Sequence, residues 1–425
     1  MTNLDCEADV AAISKPEAAK ILAQTALPPG LVQVAETLEQ AGFEAVVVGG
    51  AVRDALLGRA PGDWDLATSA RPEEVQKLFR KTIPTGLEHG TVTVIAGRGR
   101  DRFTTEVTTY RGEGEYLDGR RPSEVQFLRD LAGDLARRDL TVNAFAYNPI
   151  RSEFTDCYDG LRDLDAGVIR AVGKATERFS EDGLRAMRAA RFCATLGFDL
   201  EPDTEAAIAG ALPILAKVSR ERVRVELVKM LAAPTPSRGL RPMLRTGMWP
   251  IVLVALPEGT CEEAIAAVDA MPPEPIVRLA RLLWPIREQR ETVEEVLDRL
   301  KPSREEKARV LSLLSSAADE IAGTQDPVAI RHAASRLGRK HLKDALDVAA
   351  ASEAHRQRVT RACEDAALTI GELEIGGKEL ISKGLAKPGK ALGLLLRSLL
   401  TWVHEDPSRN TAEALTTKAG ELSST

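Results

Sequence analysis

Asp63 and Asp65 stand one residue apart in GDWDLATSA (62–70), thirteen residues after the pair Gly49-Gly50. In an extended segment, side chains at i and i+2 leave the same face. Two carboxylates so placed raise each other's pKa unless a cation sits between them. A strand that ends in two glycines and opens a helix turns backbone N–H groups and the positive end of the helix dipole toward an anion. Arg53, one turn further on, is placed to fork onto phosphate oxygens. Taken singly, the glycines make an ordinary tight turn and the aspartates a solvated pair. Together they form the arrangement expected for metal-assisted nucleotidyl transfer, because Mg2+ is commonly held by one or two carboxylates plus substrate phosphates.

The elements that must position these groups follow from the pattern. Leu31 to Ala41 reads as a helix stopped by Gly42, FEAVVVGG as a buried strand and AVRDALLG as a helix closed by Gly58. WDLAT reads as a second strand carrying the acids, and PEEVQKLFRK as a helix with Pro72 at its first position. HGTVTVIAG and RFTTEVTTYR alternate like neighbouring strands joined by GRGR. Glu106, central in the latter, is either a third carboxylate of the site or a charge on an exposed strand face. Residues 31–150 therefore read as an α+β unit, and residues 1–30 as a loosely attached extension. From about residue 175 the strand signal vanishes. FSEDGLRAMRAARF reads as the start of a helix with Ser180 as cap and Phe179 and Leu184 as staple. Within it Asp182 and Arg185 are spaced i,i+3, as in an ordinary intrahelical ion pair.

Bulk composition narrows the class. A chain of 425 residues with 44% apolar and 28% charged residues is long enough for several domains with real cores. Five widely spaced cysteines without a C-x-x-C argue against a zinc site and a disulfide framework, and for a reducing compartment. No apolar run reaches 18 residues and the N-terminus is acidic, which reads as a cytoplasmic protein with no membrane partner. A net charge of −6 gives no global attraction to nucleic acid, so an RNA partner must be held by local basic patches. Lys217, Arg220, Arg222, Arg224 and Lys229 make one, and Lys387 and Lys390 another.

Five stretches occur in order: GGAVRDALLGRAPGDWDLAT, RRDLTVNA, YDGLRDLDAGVIRAVG, EDGLRAMRAARF and SRERVRVEL. The series closely resembles that of class II tRNA nucleotidyltransferases, the bacterial CCA-adding enzymes related to poly(A) polymerases. The resemblance is dense over 43–230, thins over 231–365 and returns in IGGKELISKGLAKPGKALG. It implies a polymerase-beta-like α+β head with a small mixed sheet at 31–150, followed by all-helical parts. These are a neck with a base-recognition helix at 151–230, a body at 231–330 and a tRNA-binding tail at 331–425. It implies that Gly49, Gly50 and Arg53 hold the triphosphate, that Asp63 and Asp65 bind Mg2+, and that Arg138, Asp139 and Asn143 line the ribose and triphosphate pocket. Glu181, Asp182 and Arg185 would form a protein template for the base, with Arg188 and Arg191 continuing the row. A carboxylate that accepts from an exocyclic amine beside a guanidinium that donates to the ring nitrogen selects cytosine and adenine over uracil and guanine.

The implied substrates are CTP, ATP and the 3′ end and acceptor arm of tRNA, with pyrophosphate released. PTGLEHGTVTV, where poly(A) polymerases carry a basic stretch, and the long loop YRGEGEYLDGRRPSEVQF, read as a lever for the base pocket, rank CCA addition first. A-adding enzymes rank second, poly(A) polymerases third, and a non-enzymatic RNA-binding scaffold last. The five histidines form no adjacent His-Asp dyad, so no phosphohydrolase activity is expected. Oligomeric state is left open by the sequence.

Overall fold

β-Branched runs separated by glycine turns build the first part of the chain. The computed structural model describes residues 13–97, 99, 102–112, 126–253 and 260–423. Helices α1 (Lys15–Gln24) and α2 (Pro29–Gln40) precede strand β1 (Ala45–Val48), helix α3 (Gly50–Leu56), strand β2 (Leu66–Thr68) and helix α4 (Pro72–Leu78). Strands β3 (Thr82–Gly86), β4 (Thr91–Ala96) and β5 (Phe103–Thr109) follow, then the two-residue strands β6 (Arg111–Gly112) and β7 (Gln126–Phe127). Helix α5 (Leu131–Ala136), strands β8 (Phe145–Asn148) and β9 (Glu153–Asp156) and helix α6 (Gly160–Asp165) complete the head.

Seven strands make one mixed sheet in the order β3-β4-β5-β2-β1-β8-β9, in which β2 and β5 pair in parallel and the other neighbours antiparallel. All four side chains of β1 are buried, as a central strand covered on both faces requires. Val46 and Val48 pack with Ala67, Tyr110, Leu135 and Ala146, while α2 buries Leu31, Val34, Ala35 and Leu38 at helical spacing. β1 turns into α3 at Gly49, whose φ of +73° lies where an L side chain is strained.

Three expectations are corrected. Residues 15–24 are not loose: α1 buries Ala18 and Leu22, and the Lys15 ammonium donates to the Asp156 carbonyl at 2.7 Å. Asp63 and Asp65 lie just ahead of β2 rather than inside it, because the strand begins only at Leu66. Ser180 does not open a helix. It ends one, its hydroxyl donating to the Glu177 carbonyl inside α7 (Ala175–Glu181), which follows the short strand β10 (Val168–Ile169). The next helix, α8 (Leu184–Leu196), starts after a kink at Asp182-Gly183, and the Asp182 carboxylate caps it by accepting from the Leu184 N–H at 3.0 Å. The short strand β11 (Asp199–Leu200) then pairs in parallel with β10. Helices α9 (Pro202–Leu215), α10 (Arg220–Leu231) and α11 (Pro236–Arg245) follow. Gly183 is tied to its place by contact: a Cβ there would come within 2.4 Å of the Leu215 backbone nitrogen at the end of α9. Most of the loop read as a lever, residues 113–125, lies outside the described residues, as does Cys6.

The chain divides into two compact units, residues 1–230 with 234–252, and residues 231–233 with 253–425. Among its described residues the second unit is helical throughout. One of its cores gathers Ile375, Leu380, Leu399, Val403, Leu415 and Ala419. Beside it His404 is 2% exposed, its Nδ1 lies 3.0 Å from Nδ1 of His332, and its Nε2 lies 3.0 Å from the Ala367 carbonyl oxygen.

Burial, then the facing His332 and the nearby Arg331, lower the His404 pKa to about 4, against the opposing hydrogen bond to Ala367. The unfolded chain therefore binds a proton between pH 6.5 and about 4 that the folded chain refuses, so stability falls as pH drops through that window. Denaturant midpoints of the wild type are expected to decline from pH 6.5 toward 4, and His404→Gln to flatten that decline.

Candidate active site

The acidic pair is clamped from both sides. The Val48 N–H donates to the Asp65 carbonyl at 3.1 Å, and the Thr105 hydroxyl donates to the Trp64 carbonyl at 2.6 Å. β2 and β5 are in register at Leu66 and Val107, so one residue earlier Asp65 lies alongside Glu106. The Asp65 carboxyl remains in contact with solvent, yet enough protein surrounds it for desolvation to be the largest cause raising its pKa. The charges of Glu106 and then Asp63 add to that, and Arg138 opposes them. The charges of both Glu106 and Asp63 thus reach Asp65, that of Glu106 with the larger effect. Among the described residues no three His, Cys, Asp or Glu side chains close on one point. The donor set fits a hard divalent cation that takes its remaining oxygens from substrate and water.

Beside the acids lies a row of guanidinium groups. Arg138 stands against the Gly49 turn, where a Cβ would be 3.0 Å from its Nη1. That nitrogen donates to the Asn143 carbonyl at 3.4 Å and Nη2 to Asp134 at 3.2 Å, while Nε is buried without a partner. Arg53 sits below Gly50, donates from Nη1 to the Asn143 side-chain oxygen and pairs with Asp54 at 2.7 Å. Asn143 in turn donates to Asp139 at 3.3 Å. Asp139 also takes the Leu140 N–H at 3.0 Å and the Arg188 guanidinium at 2.7 Å. Burial pushes the Asp139 pKa up, but the Arg188 charge, hydrogen bonds from Arg188 and Asn143, and the Arg185 charge outweigh it and hold the carboxyl ionised.

The α7–α8 kink carries the rest. Asp182 precedes the helix instead of standing on its face, and its carbonyl accepts from the Arg185 backbone N–H at 2.9 Å. Asp182 accepts from Arg222 of α10 at 2.6 Å. Arg185 pairs with Glu181, which also takes Arg178 at 3.0 Å, and donates to the Arg137 carbonyl at 3.1 Å. Arg191 pairs with Glu226 at 2.5 Å. Phe192 joins the two groups: its ring carries Arg191 at 3.8 Å, Arg53 at 5.0 Å and Arg188 at 5.6 Å. Cation–π contacts of this kind contribute about 0.5–2 kcal/mol each.

Hydrogen bonds thus join Arg53, Arg138, Asn143, Asp139 and Arg188, Arg138 bears electrostatically on Asp65, and Asp182 and Arg185 make separate contacts at the kink. Of the basic residues read as an RNA surface, Lys217 is exposed after α9 and Arg222 is engaged by Asp182, while Lys387 and Lys390 are exposed in the second unit. Sequence reading passed over Asp134, Glu226 and Phe192. Asp134 was within reach, since it stands three and four residues before Arg137 and Arg138. Glu226 and Phe192 looked like any buried positions of helices.

Known proteins share this organisation. The Poly A polymerase head domain model matches residues 45–170, the model "Probable RNA and SrmB- binding site of polymerase A" residues 197–260, and domain 2 of tRNA nucleotidyltransferases residues 276–419. The CCA-adding enzyme of Pediococcus pentosaceus is 36% identical over 409 residues, which cover 92% of this chain and 96% of that one. The chain belongs to the CCA-adding tRNA nucleotidyltransferase family. The CCA-adding enzyme of Leuconostoc mesenteroides subsp. mesenteroides is 37% identical over 372 residues, 85% of this chain and 88% of its own. Among solved structures, the CCA-adding enzyme of Bacillus stearothermophilus in complex with CTP superposes with a TM-score of 0.76 at 31% identity, covering 93% of this chain and 98% of that one. Among the described residues of this family member, no helix is long and apolar enough to cross a membrane.

Because folding raises the Asp65 pKa, its ionised form costs stability above the folded-state pKa, and that cost vanishes below the ordinary value of 3.8. Asp65→Asn is expected to raise the unfolding temperature at pH 7 in chelator and to leave it unchanged near pH 3. A divalent cation is expected to stabilise the wild type more than this variant, as calorimetry with and without chelator reads directly.

Proposed function

We propose that this protein completes the 3′ end of tRNA, adding C, C and A from CTP and ATP without a nucleic-acid template and releasing pyrophosphate. The observation that carries the reading is Asp65 set alongside Glu106, with Asp63 two residues before it, next to the Gly49 turn, where Arg138 keeps a buried N–H without a partner. An anion at that turn would satisfy the orphan donor and the positive end of α3 together.

Asp63 and Asp65 would hold Mg2+, with Glu106 beside them. When bound, the ion would lower the pKa of the RNA 3′-hydroxyl and neutralise charge on the triphosphate. Gly50, Arg53 and Arg138 would grip the phosphates. Arg53 already has its direction fixed by Asp54, Asn143 and Phe192, so little reorganisation is needed on binding. Asp139 would accept from the ribose 2′-hydroxyl in the place now taken by the longest of its hydrogen bonds, the one from Asn143 at 3.3 Å, which selects ribonucleotides. Asn143 aligns that carboxylate with Arg53. Asp182 and Arg185 would read the base by accepting its amine and donating to its ring nitrogen. A mispaired base leaves buried polar groups facing their own kind, at about 1–3 kcal/mol each.

The domain reading accompanies this: catalysis in the head at 31–150, to whose sheet β9 adds the last strand, behind the segment 1–30, base recognition in the neck at 151–230, a helical body at 231–330, and tRNA binding in the tail at 331–425. Lys217 would add to the RNA surface, with Lys387 and Lys390 its tail portion. The free thiols Cys157, Cys193 and Cys363 suit the reducing cytoplasm.

The deciding experiment follows extension of tRNA lacking its terminal CCA, one nucleotide at a time, with magnesium and labelled CTP or ATP. Two C and a single A, then arrest, is the expected result. ATP incorporation only onto tRNA ending in CC would mean A addition, and binding without incorporation a scaffold. Asp63→Ala or Asp65→Ala is expected to slow extension on the order of a thousandfold or more. Lys387→Ala with Lys390→Ala is expected to weaken tRNA binding and to reduce the slope of log affinity against log salt by about one per lysine. Equal slopes in filter binding at several salt concentrations would remove the two lysines from the RNA surface.

A further inference from the structure

We propose that Arg222 of α10 is a specificity-determining positioning residue: it fixes the carboxylate plane of Asp182, and with it the choice of nucleobase. The inference rests on the reading that Asp182 accepts from the base. A carboxylate reads a donor pattern only if its oxygens point the right way, and the terminal torsion of aspartate is broad when nothing holds it. Here both oxygens are held from different elements. Oδ1 takes the Leu184 N–H at 3.0 Å and Oδ2 takes Arg222 Nη2 at 2.6 Å. The backbone beneath is fixed as well, since Gly183 is packed against the Leu215 nitrogen too closely for a Cβ.

Each carboxylate oxygen offers two acceptor positions, so one on each remains for a base amine while both protein donors stay in place. Arg222 therefore need not leave when the nucleotide arrives. Its side chain is 39% exposed and that of Asp182 17%, so the pair lies at the rim of the pocket and is worth little to the stability of the fold. Its effect falls on geometry. Without Arg222 the carboxylate keeps one anchor and can swing about it, which lowers its preference for an amine over the carbonyl that uracil presents at the same place.

Single-nucleotide incorporation into tRNA lacking CCA, with CTP or UTP, tests this on the full chain. Arg222→Ala is expected to lower the CTP-to-UTP ratio of kcat/KM about tenfold, mainly through CTP, with the KM for tRNA unchanged. Arg222→Lys, which keeps a donor and a charge, is expected to recover part of the ratio, and Arg222→Gln less. Should Arg222→Ala unfold, the difference between the lysine and glutamine variants carries the same comparison. An unchanged ratio, or a raised KM for tRNA at constant ratio, overturns the proposal and makes Arg222 a brace or an RNA contact. Asp182→Ala separates the two levels. Selectivity lost there but kept in the Arg222 variants sinks the positioning role alone, whereas selectivity kept in Asp182→Ala sinks the base-reading role and this proposal with it.

Discussion

Like charges repel, and the first unit is arranged to set Asp65 beside Glu106 with the charge of Asp63 still felt there. Asp65 is carried beside Glu106 by the parallel register of β2 on β5, and Asp63 follows two residues earlier on a segment clamped to its neighbours by backbone and hydroxyl hydrogen bonds. Without those clamps the segment between α3 and β2 would relax and the carboxylates would part. The sheet order matters for the same reason. β2 lies between β5 and β1, so the acids share one end of the sheet with the Gly49 turn that closes β1. A cation there relieves a strain that the fold itself imposes.

The surrounding arginines show the opposite economy. Arg53, Arg185, Arg188, Arg191 and Arg222 each have a carboxylate of their own: Asp54, Glu181, Asp139, Glu226 and Asp182. Guanidinium groups anchored in this way keep their charge and their direction before any ligand arrives, which is how fixed dipoles and charges outperform water around a reacting phosphate. Arg138 differs. Asp134 secures one of its terminal nitrogens, yet Nε has no acceptor, and this nitrogen belongs to the arginine that stands against the Gly49 turn and within electrostatic reach of Asp65.

Much of this was legible in the residue order. The strand ending in Gly49-Gly50, the short helix after it and the β4–β5 pairing all follow from glycine placement and two-residue alternation. The crowding of Asp65 by Asp63 was legible too, because two aspartates at that spacing repel, whereas the larger effect of Glu106 comes from the pairing of β2 with β5. What stayed hidden came from contacts distant in sequence. The only local mark of the kink at Asp182-Gly183 is the Asp-Gly pair itself, which the capping pattern at Ser180 outweighed in the sequence; in the fold the end of α9 and the reach of Arg222 hold it there. Asp182 and Arg185 look like an intrahelical pair until that kink takes the aspartate off the helix. α1 looked dispensable because its two buried side chains, Ala18 and Leu22, are too few to make a periodic face by themselves.

Phe192 gives the pocket a stiffness of its own. One ring lies against Arg53 of α3 and against Arg188 and Arg191 of its own helix α8, so a shift of α8 also disturbs the surroundings of the α3 guanidinium. The two helices are thus coupled through a single side chain, and a smaller residue at 192 would leave three guanidinium groups in two elements without their common support.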